Sequence, residues 1–123
     1  MLVAVFEVAG EWNVLDLAGA VRGLADDEFA IIDCLSLWVS NLLEYGHDGA
    51  AIEHLAAEAA ALAAGRTGGC VAVSNEVGMG IVPMSALARS YRDVIGRVNA
   101  IWAEAFDDAV LAVAGRVLRL ERA

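Results

Sequence analysis

Residues 70–83 read CVAVSNEVGMGIVP, and the reading of this stretch decides the fold. Cys70–Ser74 is a short apolar, β-branched run of the kind that forms a buried strand. Ser74, Asn75 and Glu76 follow it at once. Two glycines at alternate positions, Gly78 and Gly80, and the only proline of the chain, Pro83, come next. From Ser85 to Phe106 the pattern changes to helical spacing through Leu87, Tyr91, Val94, Ile95, Val98, Ile101 and Trp102. A strand, a glycine loop and a long helix form half of a β-α-β unit.

Working outward, the same alternation recurs. Residues 2–8 are strand-like. Asp16–Leu24 has the spacing of a short amphipathic helix, and Glu28–Asp33 (EFAIID) that of a short strand ended by an acid. Leu35–Tyr45 is expected to be helical, stopped by Gly46. Asp48 is placed to cap a helix over Gly49–Ala64 that ends at Gly65. After the long helix, Ala109–Val113 is a further strand, and Gly115 turns it into an antiparallel Arg116–Leu120. Strands separated by helices imply a parallel sheet, and continuous apolar runs imply a sheet covered on both faces. The 123 residues are expected to make one domain, 1–123.

Composition narrows the partners. The net charge is −9, all eight basic residues are arginine, and there is no lysine. So acidic a chain argues against general nucleic-acid binding, because phosphate backbones would repel it. Alanine supplies 25 residues of the 59% apolar fraction, and alanine favours helices without making a membrane span. No run reaches the roughly 18–20 apolar residues of a spanning helix, and residues 1–6 lack a basic leader. The expectation is a cytoplasmic protein. Cys34 and Cys70 lack C-x-x-C spacing and are expected to be buried free thiols rather than a disulfide or metal pair. His47 and His54 are expected to be ordinary surface or half-exposed histidines.

In a parallel α/β sheet, ligands bind at the carboxyl ends of the strands. Asp33 and Ser74–Glu76 are then expected to share one edge. Asp33 has two readings, an acid holding Mg²⁺ through water or an N-cap for the helix near Leu35. Gly78 and Gly80 either supply turn conformations with positive φ or keep backbone open to a ligand. Arg89, Arg92 and Arg97 either reach an anion near the loop or are solvated and paired with acids such as Asp93. Tyr91, Trp102 and Phe106 either form an exposed interface stripe or pack inward.

Two blocks carry a family resemblance. IIDCLSLWVSNLL (31–43) and VSNEVGMGIVPMSALARSYRDVIGRVNAIWAEAFDDAVLAVAG (73–115) together resemble the adenosylcobinamide kinase / adenosylcobinamide-phosphate guanylyltransferase family. The resemblance implies a parallel-sheet, RecA-like P-loop NTPase fold closed by the C-terminal β-hairpin, and a place in cobalamin biosynthesis. It implies GTP or ATP with Mg²⁺ as cofactors, a corrinoid substrate, and a homotrimer with sites between subunits. It also implies roles for Asp33 and Glu76 in catalysis, with Asp33 tied to Mg²⁺. Asn75, Gly78, Gly80, Arg89 and Arg92 would face substrate and nucleotide. Family members begin with a strand and a G-x-x-x-x-G-K-[ST] loop, which this lysine-free sequence does not show. A domain truncated at its N-terminal P-loop unit is therefore expected, inactive alone as a kinase. The alternatives are one subunit of a split enzyme whose P-loop comes from a partner chain, or a non-catalytic binding and assembly module.

Overall fold

The structure is a computed structural model that describes residues 15–123; the strand expected over residues 2–8 lies outside the described residues. The element order is α1 (Leu17–Arg22), β1 (Ala30–Asp33), α2 (Leu35–Glu44), α3 (Gly49–Ala64), β2 (Cys70–Val73), α4 (Ala86–Ala105), β3 (Ala109–Val113) and β4 (Arg116–Leu120). Local chemistry explains most of the boundaries. Asp16, Asp48 and Ser85 each turn a side-chain oxygen onto the backbone N–H three residues on, at 2.8, 2.8 and 3.0 Å, and so start α1, α3 and α4. Helix α2 ends where Gly46 adopts a φ of 90°. There the Gly46 N–H bonds to the Leu43 carbonyl and the His47 N–H to that of Leu42, the paired closure that a left-handed residue permits.

Strand β1 starts at Ala30, two residues later than the Glu28 start expected from sequence. The reason lies in the preceding turn. Glu28 N–H bonds to the Ala25 carbonyl, and the Arg66 guanidinium takes the carbonyls of Ala25 and Glu28, both at 2.7 Å. Gly68 lies against this turn so closely that a Cβ there would sit 2.3 Å from the Glu28 carbonyl oxygen. Residues 25–29 are thus committed to a tie with 66–69 before the strand ladder begins.

Strands β1 and β2 pair in parallel, Ala30 with Cys70 through Asp33 with Val73. The hydrophobic core lies between this pair and the helices. It joins Leu17 and Val21 of α1, Ile32 of β1, Leu35, Trp38, Val39 and Leu42 of α2, Ile52 of α3, and Val94, Ile95, Val98 and Trp102 of α4. The buried face of α3 includes a stripe of alanines, Ala56, Ala59, Ala60 and Ala63, each at most 1% exposed. Side chains this small let neighbouring backbones come close, and α3 makes its most extensive packing with α4.

Two expectations are corrected. The parallel sheet is not covered on both faces: every residue of β2 is only half-buried, and β1 alternates between buried and half-buried before ending in an exposed Asp33. Strand β3 does not extend that sheet; it pairs only with β4, antiparallel, in a separate two-stranded sheet. Apolar runs settle that strands exist, but partner choice depends on which edges meet in space. The aromatic residues of α4 pack inward. Trp102 is 4% exposed and meets Phe106 at a ring-centroid distance of 5.5 Å, while Tyr91 packs against the core and donates to the Ser36 carbonyl. Exposed large apolar side chains gather on 79–87 and on the β3–β4 hairpin, with Phe29, Leu37 and Tyr45 exposed singly.

Candidate functional site at the carboxyl edge of the parallel strands

The parallel register brings the carboxyl ends of β1 and β2 level, so Asp33 and Ser74–Glu76 leave the sheet at one edge. Asp33 is exposed there. It does not cap α2. The cap is Cys34, whose Sγ accepts the Leu37 N–H at 3.4 Å, and this leaves the Asp33 carboxylate without a structural hydrogen bond among the described residues. The peptide between Asp33 and Cys34 is cis.

The start of the glycine loop is held by a ring of hydrogen bonds that the sequence reading missed. The Asn75 N–H donates to Ser36 Oγ at 2.8 Å. Ser36 Oγ lies 3.3 Å from Ser74 Oγ, and the Ser74 hydroxyl donates to Asn99 Oδ1. Asn99 Nδ2 then donates to the Asn75 carbonyl at 3.2 Å. With Ser36 as donor to Ser74, each hydroxyl donates once and accepts once, and the ring closes on the two peptide groups of Asn75. Three elements meet in it: α2 through Ser36, the end of β2 through Ser74, and α4 through Asn99. Ser36 is the one buried polar residue among those described, and Tyr91 Oη fastens its carbonyl at 3.2 Å. Burial raises the Tyr91 phenol above its ordinary 10.0, with the hydrogen bond to Ser36 opposing and Cys34 adding slightly, so the hydroxyl stays a donor. The available signal was a serine and an asparagine at core-facing positions of apolar helices, where a polar side chain needs a partner.

Beyond Asn75 the loop turns outward. Glu76 is exposed, and its Oε1 accepts the Gly78 N–H at 2.6 Å. Neither Gly78 nor Gly80 has a positive φ; among the described residues the glycines that do are Gly46, Gly69 and Gly115. A left-handed turn is therefore not why glycine stands there. A Cβ at Gly78 would come within 2.9 Å of Glu76 Oε1, whereas one at Gly80 would meet nothing within 4 Å. Met79, Ile81, Val82 and Met84 are 74, 97, 63 and 98% exposed. Arg89 closes the far end of the loop, donating to the carbonyls of Pro83 and Met84 at 3.0 and 2.8 Å.

The other arginines of α4 have acidic partners. Arg92 pairs with Asp93 at 3.1 Å, and Arg97 with Glu53 at 3.3 Å. His47 is half-buried and His54 exposed, away from this edge on the turn before α3 and on α3. Cys34 and Cys70 are free and only partly buried; burial pushes the Cys70 thiol up to about 11, against a smaller opposing pull from Arg66. Among the described residues no group of three or more His, Cys, Asp or Glu gathers as a metal cage. The donors at the edge, two exposed carboxylates, suit an ion such as Mg²⁺ that keeps most of its water and takes one or two carboxylates. No helix among the described residues is long and apolar enough to cross a membrane.

Fold and edge together define an α/β protein of the kind that gathers polar groups where parallel strands end. The chain belongs to the CobU family, cobinamide kinase / cobinamide phosphate guanyltransferase, which it matches over residues 9–120. The resemblance of residues 31–43 and 73–115 is borne out. Among similar proteins is the bifunctional adenosylcobalamin biosynthesis protein CobU of Salmonella typhimurium, 36% identical over an alignment of 116 residues that covers 85% of this chain and 64% of that protein. The protein of the same name from Escherichia coli is 40% identical over 101 residues, 72% of this chain and 56% of that protein. The bifunctional adenosylcobalamin biosynthesis protein CobP of Pseudomonas aeruginosa is 32% identical over 118 residues, 89% of this chain and 66% of that protein. The chain thus spans less than two thirds of the length of each of these relatives.

Proposed function

We propose that this chain supplies the carboxyl-edge half of a cytoplasmic cobinamide kinase / cobinamide-phosphate guanylyltransferase, working in cobalamin biosynthesis on a corrinoid and on GTP or ATP. The observation that carries this reading is the parallel register of β1 and β2, which sets Asp33 and Ser74–Glu76 side by side at the sheet edge. Asp33 and Glu76 are the catalytic carboxylates, and Asp33 holds Mg²⁺ through water. The ion, when bound, neutralises charge on the nucleotide phosphates. Asn75, its own peptide groups fixed by the hydrogen-bond ring, presents its side-chain amide to a polar ligand edge. Gly78 and Gly80 keep side chains out of the approach to the loop backbone. Arg89 acts by positioning the loop through Pro83 and Met84, and Arg92, beside it on α4, offers positive charge to the nucleotide.

The phosphate-binding loop and its lysine come from outside these 123 residues, so the chain alone does not phosphorylate or guanylylate. The fold is then a RecA-like P-loop fold completed by that unit, and the assembled enzyme is a homotrimer.

The test is reconstitution. The unmatched part of the Salmonella typhimurium relative is supplied, fused or separate, and guanylyl transfer to cobinamide phosphate is assayed. Asp33→Ala and Glu76→Ala should each lower the rate tenfold or more, about 1.4 kcal/mol of barrier or above. Their unfolding midpoints should stay at the parent value, because both carboxylates are exposed. Full activity in both variants, or loss of the fold, overturns the reading.

A further inference from the structure

We infer that Ser36 and Asn99 are positioning residues for the proposed reaction: by gripping both peptide groups of Asn75, they hold Glu76 at a fixed place beside Asp33. The inference rests on the functional reading above and adds what sets the spacing of its two carboxylates.

The sheet does not set that spacing by itself. The ladder between β1 and β2 ends at the pair of Asp33 and Val73, before Glu76 is reached. Past that pair the two segments are next joined at the hydroxyl of Ser36, which accepts the Asn75 N–H at 2.8 Å and lies 3.3 Å from Ser74 Oγ. From the other side Asn99 Nδ2 donates to the Asn75 carbonyl at 3.2 Å. One bond fixes the peptide plane before Asn75 and the other the plane after it, and each plane is rigid. The two soft torsions of Asn75 are thus settled by side chains from α2 and α4. The second plane also contains the Glu76 nitrogen, so the direction in which the chain enters Glu76 is settled with it. On the far side of Glu76, Val77 packs against the core. Glu76 is therefore exposed yet bracketed. Its Oε1 takes the Gly78 N–H at 2.6 Å, and its Oε2 has no partner among the described residues.

Helix packing does not call for this ring. Ser36 is 4% exposed on α2, where an alanine would pack without needing a partner. A buried neutral hydrogen bond adds little net stability. What a closed set of them adds is direction, because each member restricts the next. Tyr91 secures the base of the ring, donating to the Ser36 carbonyl at 3.2 Å and tying α4 to α2 a second time. Ser36 is buried and Asn99 half-buried, and both spend their polar atoms on Ser74 and Asn75. They act through Asn75 and Glu76 and touch no substrate.

The experiment has two arms. In the 123-residue chain alone, Asn99→Ala should speed amide exchange at Asn75 about fivefold or more, although Ser36 Oγ, the acceptor of that N–H, is untouched. In the enzyme reconstituted for guanylyl transfer, Asn99→Ala and Ser36→Ala should each lower kcat about tenfold or more and move KM for GTP by less than about threefold, because alignment is lost and binding is not. Asn99→Asp keeps an acceptor for Ser74 and lacks the donor to Asn75, so it should lose kcat as far as Asn99→Ala does. Gly46→Ala, strained at the opposite end of α2, should keep the parental kcat. Asn99 is only half-buried, so its variants decide the matter if Ser36→Ala fails to fold. A kcat within about twofold of the parent in Asn99→Ala overturns the inference. So does a loss confined to KM, an equal loss of kcat in Gly46→Ala, or unaltered exchange at Asn75. With the parent enzyme active, any of these sinks the inference alone. Absence of transfer by the parent sinks the functional reading, and with it the role assigned to Ser36 and Asn99.

Discussion

Replacing Asn99 by alanine cuts the ring at the base of the glycine loop in two places. The Ser74 hydroxyl loses its acceptor and the Asn75 carbonyl loses its donor. A neutral hydrogen bond nets about 0.5–1.5 kcal/mol, so two are worth about 1–3 kcal/mol. The Asn75 side is exposed and water can take over there, whereas Ser74 is half-buried and its hydroxyl is left short of a partner. The expected loss is therefore about 1–2 kcal/mol. Urea unfolding followed by circular dichroism should show this as a lower midpoint with an unchanged slope. Amide exchange at Asn75 and Glu76 should accelerate. Ser36→Ala removes the acceptor of the Asn75 N–H from the other side of the ring and should cost a similar amount. The double variant discriminates further. If the four bonds act as one closed unit, cutting it twice costs less than the sum, with a coupling of about 0.5 kcal/mol or more. A loss below about 0.3 kcal/mol for Asn99→Ala, or strictly additive losses in the double variant, would refute the reasoning.

Further outcomes follow from other parts of the molecule. Burial raises the Cys70 thiol from 9.0 to about 11, so the folded chain holds that proton more tightly than the unfolded one. The corresponding stability is intact below pH 9 and drains away as pH rises from 9 to about 11; Cys70→Ala should flatten the melting-temperature profile across that window. Gly46→Ala forces a Cβ onto a φ of 90° and should cost about 1 kcal/mol or more in the same urea experiment. Leu42→Ala, at 0% exposure, should cost about 2–5 kcal/mol, its size reporting how far α2 and its neighbours collapse into the space. Arg89→Ala frees the carbonyls of Pro83 and Met84 and should speed limited proteolysis within 79–84 several-fold, with little change in the global unfolding midpoint.

The helices were legible because their signals are local. Asp48 and Gly46 bind or bend the backbone within a few residues of themselves, and the sequence displays both. Ser85 was read as the first residue of its helix and proves to be its cap, a shift of one position. The common edge of Asp33 and Ser74–Glu76 was also legible, because parallel strands point their carboxyl ends the same way. Strand pairing was not. Nothing in AVLAV distinguishes a strand that joins β2 from one that folds back on β4. Of the two readings of Asp33, the capping one fails: an aspartate is the common choice, and a thiol one residue later takes the position. Ser36 and Asn99 escaped because their roles exist only once α2, β2 and α4 meet, through contacts spanning 24 to 39 residues of chain.

The alanine face of α3 has a consequence for how this protein can be mapped by mutation. Alanine scanning, the usual way to find residues that matter, is blind along Ala56, Ala59, Ala60 and Ala63, because the probe residue is already there. Truncating partners on α4 would report those partners and not the closeness of the two backbones. Enlargement is the informative perturbation: a valine or leucine at Ala56, on the helix face that Gly49 and Glu53 turn to Val94 and Arg97 of α4, must push α4 away, at a cost of about 1–3 kcal/mol or more. Because α4 also carries Asn99 and Arg89, such a wedge would move both fastenings of the glycine loop at once. Activity in a reconstituted enzyme would then respond to bulk added at a buried, chemically silent helix face.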